Sequence, residues 1–146
     1  MTDFMQRALD QAQAAARRGE VPVGAVLVCD GAVIAADGNR VEQLNDPTAH
    51  AEMQVIRAAA AVLGRTRLEQ CDLYVTLEPC PMCAAAIAHA RLRRLYYGAY
   101  DPKGGGVEHG ARVFARATCH HHPEIVGGLR ESEASALLRD FFRQRR

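Results

Sequence analysis

The chain has 146 residues, 49% apolar and 24% charged, with a formal net charge of +1; this is the make-up of one globular domain, and it neither demands nor excludes nucleic acid as a partner. No stretch reaches the about 18 uncharged apolar residues of a membrane span, and Asp3, Arg7 and Asp10 stand where a secretory signal needs an apolar run. A single domain over residues 1–146, cytoplasmic and with no membrane partner, is therefore expected.

Met5, Ala8, Leu9, Ala12 and Ala16 recur at helical spacing, which predicts an amphipathic helix over residues 3–18 that Gly19 ends. The near-continuous apolar run Val21 to Cys29, the turn pair Asp30-Gly31 and the returning Ala32-Val33-Ile34-Ala35 predict a β-hairpin. Gly38-Asn39-Arg40 reads as a polar loop leading to a second helix that carries His50 and Glu52. Its apolar face is expected to be Met53, Ile56, Ala60 and Leu63, and Gly64 closes it. Asp46 is the expected N-cap and Pro47 the first helical residue.

Leu73-Tyr74-Val75-Thr76-Leu77 is a short strand running into Glu78-Pro79-Cys80-Pro81-Met82-Cys83. Pro81 followed by alanines places both cysteines at a helix start. Leu95-Tyr96-Tyr97-Gly98-Ala99 is the next strand, in a β-α-β crossover that makes the pair parallel. A glycine-rich loop at 104–106, a short segment around Val113-Phe114 and a helix from about Glu131 complete the order. The terminal 143–146 is expected to fray.

His50, Cys80 and Cys83 form the best-spaced set of metal donors. Three protein ligands mark a catalytic zinc site, where a fourth position stays open for water, whereas a structural zinc closes on four. Two thiolates, a neutral imidazole and Zn²⁺ sum to zero charge, so the site can be buried. Positions i and i+2 share no face within a helix, so His50 and Glu52 converge only in a ragged first turn. Taken alone, Cys80-x-x-Cys83 is equally the spacing of a redox pair, a buried thiol pair or half of a structural zinc site. Among the other cysteines, Cys29 and Cys71 are expected as packed or reduced thiols rather than a disulfide. Cys119-His120-His121-His122 is expected to be a polar loop, since four adjacent residues cannot all turn to one ion.

His-x-Glu followed by Pro-Cys-x-x-Cys resembles the signature of the zinc nucleobase deaminases. With it, the stretches Glu20 to Val26, Gly38 to Arg40, Asp46 to Glu52, Tyr74 to Cys80 and Leu137 to Arg146 resemble the bacterial tRNA-specific adenosine deaminases of the cytidine deaminase-like superfamily. The stretch Val107–His122 departs from that pattern. The resemblance implies a three-layer α-β-α fold of the α/β class with a five-stranded mixed sheet, a homodimer, one Zn²⁺ per chain and conversion of adenosine to inosine at the wobble position of a tRNA anticodon stem-loop. It also implies His50, Cys80 and Cys83 as zinc ligands and Glu52 as the catalytic proton shuttle. Asn39 matches a base-contacting asparagine, Asp101 an aspartate beside the nucleotide's sugar, and Phe142 and Arg145 residues near the anticodon loop. The alternatives are a deaminase of a free guanine- or cytosine-type base or nucleoside, and a zinc-stabilised RNA-binding module without chemistry.

Overall fold

In the computed structural model, which describes residues 2–145, the strands follow the order β2-β1-β3-β4-β5. The hairpin forms where Asp30 and Gly31 both take positive φ, at 52° and 77°. It joins β1 (Gly24–Cys29) to β2 (Ala32–Gly38). β1 also pairs antiparallel with β3 (Cys71–Leu77), while β3 to β4 (Arg94–Ala99) and β4 to β5 (Glu124–Val126) are parallel, so the sheet is mixed.

The alternation of side chains along each strand builds a core on both faces. Ala25, Leu27, Leu73, Val75, Leu95 and Tyr97 turn to one face and pack with Val55 and Ala59 of helix α3 (Ala51–Leu63) and Ala84 and Ile87 of α4 (Pro81–His89). Val26, Val28, Tyr74 and Tyr96 turn to the other, against Met5, Ala8 and Leu9 of α1 (Phe4–Arg17) and Ala134 of α5 (Glu131–Gln144). The result is the expected three-layer α-β-α fold. The short segment expected around Val113-Phe114 is a 3-10 turn at Val113–Ala115, whereas a short α2 (Val41–Leu44) and β5 are additions to the elements read from the sequence.

Several local expectations need correction. The buried face of α3 is Ala51, Glu52, Val55 and Ala59, rotated from the expected one, because its alanines approach the sheet closely and leave the larger Met53, Ile56 and Leu63 at the flanks. In α1, Ala15 is buried in place of Ala16. Cys29 and Cys71, expected as thiols, are joined as a disulfide, because the β1–β3 register sets them directly opposite with Cα atoms 4.3 Å apart. Helix α5 continues to Gln144 with Arg145 as its cap, and Arg146 lies outside the described residues.

Gly24 marks the closest approach of α1 to the sheet. A Cβ there would strike the Ala8 carbonyl oxygen and lie 2.5 Å from the Ala12 nitrogen, both backbone atoms that cannot rotate away. Gly24→Ala is expected to cost about 3 kcal/mol, the upper end of ordinary overpacking, which in a domain of this size lowers Tm by roughly 10 °C. Thermal denaturation measures it. A Tm within about 2 °C of the parent would mean that α1 can lift from β1 without loss.

Candidate metal centre and its cavity

Two helix starts converge at the carboxyl end of β3. Cys80 is the N-cap of α4 with Pro81 following it, and His50 is the N-cap of α3. Unpaired N–H groups and the helix dipoles make both positions favourable for anionic ligands. His50 Nδ1 lies 3.6 Å from Cys80 Sγ and 3.5 Å from Cys83 Sγ, and the three donor atoms all fall within 4.8 Å of one another. A tetrahedral zinc with Zn–S of about 2.3 Å and Zn–N of about 2.0–2.1 Å separates its nitrogen and sulfur ligands by about 3.5 Å. The donor set therefore fits that ion in spacing as well as in type.

Asp46 does not cap α3. Its Oδ1 accepts instead from the Thr48 backbone N–H at 2.8 Å and the Thr48 hydroxyl at 2.7 Å, closing a turn ahead of the helix. The N–H of Ala51 is satisfied from a distance, by Asn39 Oδ1 at 2.8 Å. This later start leaves His50 at the cap and Glu52 in the first turn, the ragged geometry that their convergence requires.

The hydrogen bond to Cys80 raises the His50 imidazole above its ordinary value. Hydrogen bonds from Cys83 and His50 hold the Cys80 thiol down to about 4, whereas the bond to Cys80 and burial push Cys83 up. Glu52 is only 4% exposed and stands outside the donor cluster. Burial pushes its carboxyl up to about 7, where it can both take and give a proton.

His50, Glu52 and Cys80 open onto a cavity of about 620 Å³ whose walls include Asn39, Glu78, Asp101, Phe141 and Arg145. Asn39 is fixed by its own N–H to the Val23 carbonyl, by Arg18 Nη2 on its carbonyl and by its cap to Ala51. Its Oδ1 is thus committed, and its Nδ2 is the end left to donate. Asp101 Oδ1 accepts from the N–H groups of Lys103 and Gly104. Arg145 reaches back to the Gly19 carbonyl at 3.3 Å, with its guanidinium 4.2 Å above the Phe141 ring.

Phe142 is not brought to this cavity. It is 50% exposed and borders a separate surface hollow with Leu138, Arg139 and Arg143, since neighbours on a helix point about 100° apart. Phe141 is the aromatic wall. The loop at 119–122 holds no metal cluster among the described residues, and His121 Nε2 is 2.7 Å from the Leu92 carbonyl oxygen.

Two cavity residues escaped the sequence reading. Glu20 is 2% exposed and accepts from the N–H groups of Glu42 and Gln43 at 3.1 and 2.8 Å, and Glu78, also 2% exposed, holds the loop after β4. The available signal was an acidic residue set among apolar neighbours at a strand end, a placement that needs buried partners.

A group of three metal donors, beside a separate carboxyl at the wall of a nucleoside-sized cavity, is the arrangement of a hydrolytic deaminase of the cytidine deaminase-like fold. Comparison with known proteins agrees: the MafB19-like deaminase family matches residues 1–146. A tRNA-specific adenosine deaminase of Agrobacterium fabrum is 62% identical over 145 residues, which cover 99% of this chain and 95% of that one. A structure solved in a study of A-to-I editing by tRNA:A34 deaminases at the wobble position of transfer RNA superposes with a TM-score of 0.91 at 62% identity, covering 92% of this chain and 98% of that one. A guanine deaminase from Nitrosomonas europaea superposes with a TM-score of 0.79 at 25% identity, over 94% and 81% of the two chains. The chain belongs to the MafB19-like deaminases, and within them to the tRNA-specific adenosine deaminase family.

Proposed function

We propose that the chain converts adenosine to inosine at the wobble position of a tRNA anticodon stem-loop, using one zinc per chain held by His50, Cys80 and Cys83. The observation that carries this reading is the 62% identity to a tRNA-specific adenosine deaminase over almost the whole chain. The cavity supports it. About 620 Å³ lies well within the roughly 300–1,000 Å³ of sites that take drug-sized ligands, room for a nucleotide rather than a bare base.

The metal's contribution, when bound, is to acidify a water in its open position. Glu52 moves the protons: its carboxylate takes one from the attacking water and delivers it to the ring nitrogen beside adenine C6 as the water oxygen bonds to C6. It then takes the second proton from that oxygen and supplies it to the amine, which leaves as ammonia as the C6–N bond breaks and the carbonyl of inosine forms. Asn39 offers Nδ2 to an acceptor on the base, Asp101 faces the sugar, and Phe141 with Arg145 walls the entrance, with Phe142 further out on the same helix. An unpaired loop nucleotide suits this entrance, because an aromatic ring stacks its base, cations hold its phosphates and it is already partly unstacked. By the same resemblance the protein works in the cytoplasm as a homodimer, and no helix among the described residues is long and apolar enough to cross a membrane.

The second reading, a guanine deaminase, is favoured by the Nitrosomonas europaea likeness. One experiment separates the two: product formation measured side by side on a stem-loop with A at the wobble position, the same loop with G, free adenosine and free guanine. Turnover of the A loop alone is expected, falling steeply with added salt and with truncation after Asp140. Turnover confined to the free bases would sink the tRNA assignment and leave the chemistry of the site in place.

A further inference from the structure

The Glu78 side chain is wholly buried, yet it is no part of the metal cluster. Its Oε1 accepts from the Asp101 N–H at 3.0 Å and lies 2.8 Å from His109 Nδ1. Its Oε2 accepts from the consecutive N–H groups of Val107, Glu108 and His109 at 3.2, 2.9 and 3.0 Å. A single carboxylate thus fastens both ends of the segment 101–109, which supplies the Asp101 wall of the cavity.

Between those ends the segment lies directly on the metal-binding motif. The Gly106 N–H donates to the Pro79 carbonyl at 2.8 Å. A Cβ on Gly105 would come within 2.6 Å of Glu78 Oε2, and one on Gly106 within 2.6 Å of the Pro81 nitrogen. The position of Asp101 relative to Cys80 is therefore set through Glu78, two residues before that ligand.

We propose that Glu78 is a positioning residue that holds the Asp101 wall in register with the metal centre, so that it governs how tightly the RNA nucleotide is held rather than the chemical step. The effect on RNA binding rests on the tRNA reading above; the effect on the loop does not. Both carboxylate oxygens are used as acceptors, so an amide in this place must turn an NH₂ group toward N–H donors on one side. His109 can adjust by presenting Nδ1 as an acceptor, but the Asp101 N–H cannot. Glu78→Gln should therefore release the Asp101 end and leave the 107–109 end fastened.

The test compares Glu78→Gln with the parent, both loaded with zinc. A buried donor left without a partner costs enough to raise KM for the wobble-A stem-loop about tenfold or more. The same change should leave kcat within about threefold, because the proton-transfer groups are untouched. Elemental analysis should still give about one zinc per chain, and amide exchange should quicken at 101–104 but not at 107–109. A fall in kcat with loss of zinc and an unchanged KM would overturn the proposal, since Glu78 would then support the cysteine segment instead.

His109→Ala guards against a Glu78 variant that does not fold, because it removes only the ring partner and keeps the three backbone donors. KM should rise in the same sense by a few fold, less than one charge-assisted hydrogen bond at full strength would give. A folded His109→Ala protein with unaltered KM and unaltered exchange at Asp101 also overturns it. Should the parent show no activity on the stem-loop, the tRNA reading fails, and the exchange pattern of the two variants still decides whether Glu78 sets the loop.

Discussion

Replacing Glu52 with glutamine should leave the metal in place and reduce deamination by roughly 10³-fold or more, near the top of what a positioned acid–base group supplies. The carboxamide has the same shape and fills the same buried position, but it can neither take the proton of a water nor hand one to a ring nitrogen. Glu52 is not one of the three donors, and a glutamine oxygen can still accept the hydrogen bond that links it to Cys83, so His50, Cys80 and Cys83 should keep their arrangement. Elemental analysis alongside ammonia release checks both halves of the prediction, and a variant that stays active removes Glu52 from the mechanism.

The same substitution has a stability signature in metal-free protein. Burial raises the Glu52 carboxyl from 4.5 to about 7 in the folded chain. Between those values the folded state binds more protons than the unfolded one, so wild-type stability falls as pH rises through that window. Glu52→Gln should flatten that fall, with a Tm at pH 8 equal to or above the metal-free parent's. A Tm well below the parent's would mean that the ionised carboxylate has a stabilising partner in the folded state.

His50→Ala and Cys83→Ala should each abolish both bound zinc and activity, from about one ion per chain to almost none. Two remaining protein donors do not hold a catalytic zinc, and Cys83 is wholly buried. Metal analysis on dialysed protein decides it. A ratio near two in the parent would call for a second site, and fully active protein with almost no metal would end the zinc mechanism.

How much of this was legible in the sequence depended on the range of the interaction concerned. Asp30-Gly31 announced its hairpin because the turn needs two residues that tolerate positive φ, and Cys80-Pro81-x-Cys83 announced a helix start because proline suits only that position. The candidate metal donors and Glu52 were readable as a group since each half is local, His50 and Glu52 two positions apart and Cys80 and Cys83 three. Strand β5 was not, because Glu124-Ile125-Val126 is too short and too exposed to show a pattern. The face of α3 was misjudged where a run of alanines blurs the period. The Cys29–Cys71 disulfide and the roles of Glu20 and Glu78 depend on strand register and loop return, pairings 20 or more residues apart that no local pattern encodes.

One hydrogen bond has reach beyond the helix it begins. Asn39 Oδ1 is taken by the Ala51 N–H, so the backbone of α3 dictates which end of the amide is left to the cavity. Chemical ageing exposes that dependence. Spontaneous hydrolysis of the Asn39 amide to an acid would preserve the cap, since a carboxylate accepts from Ala51 equally well, and the fold would show no damage. The cavity would meanwhile exchange the free Nδ2 donor of Asn39 for an anion, which the base contact proposed for Asn39 does not tolerate. An enzyme whose trade is releasing ammonia from a nucleobase could thus be silenced by losing a single ammonia of its own, in a molecule that still melts at the normal temperature.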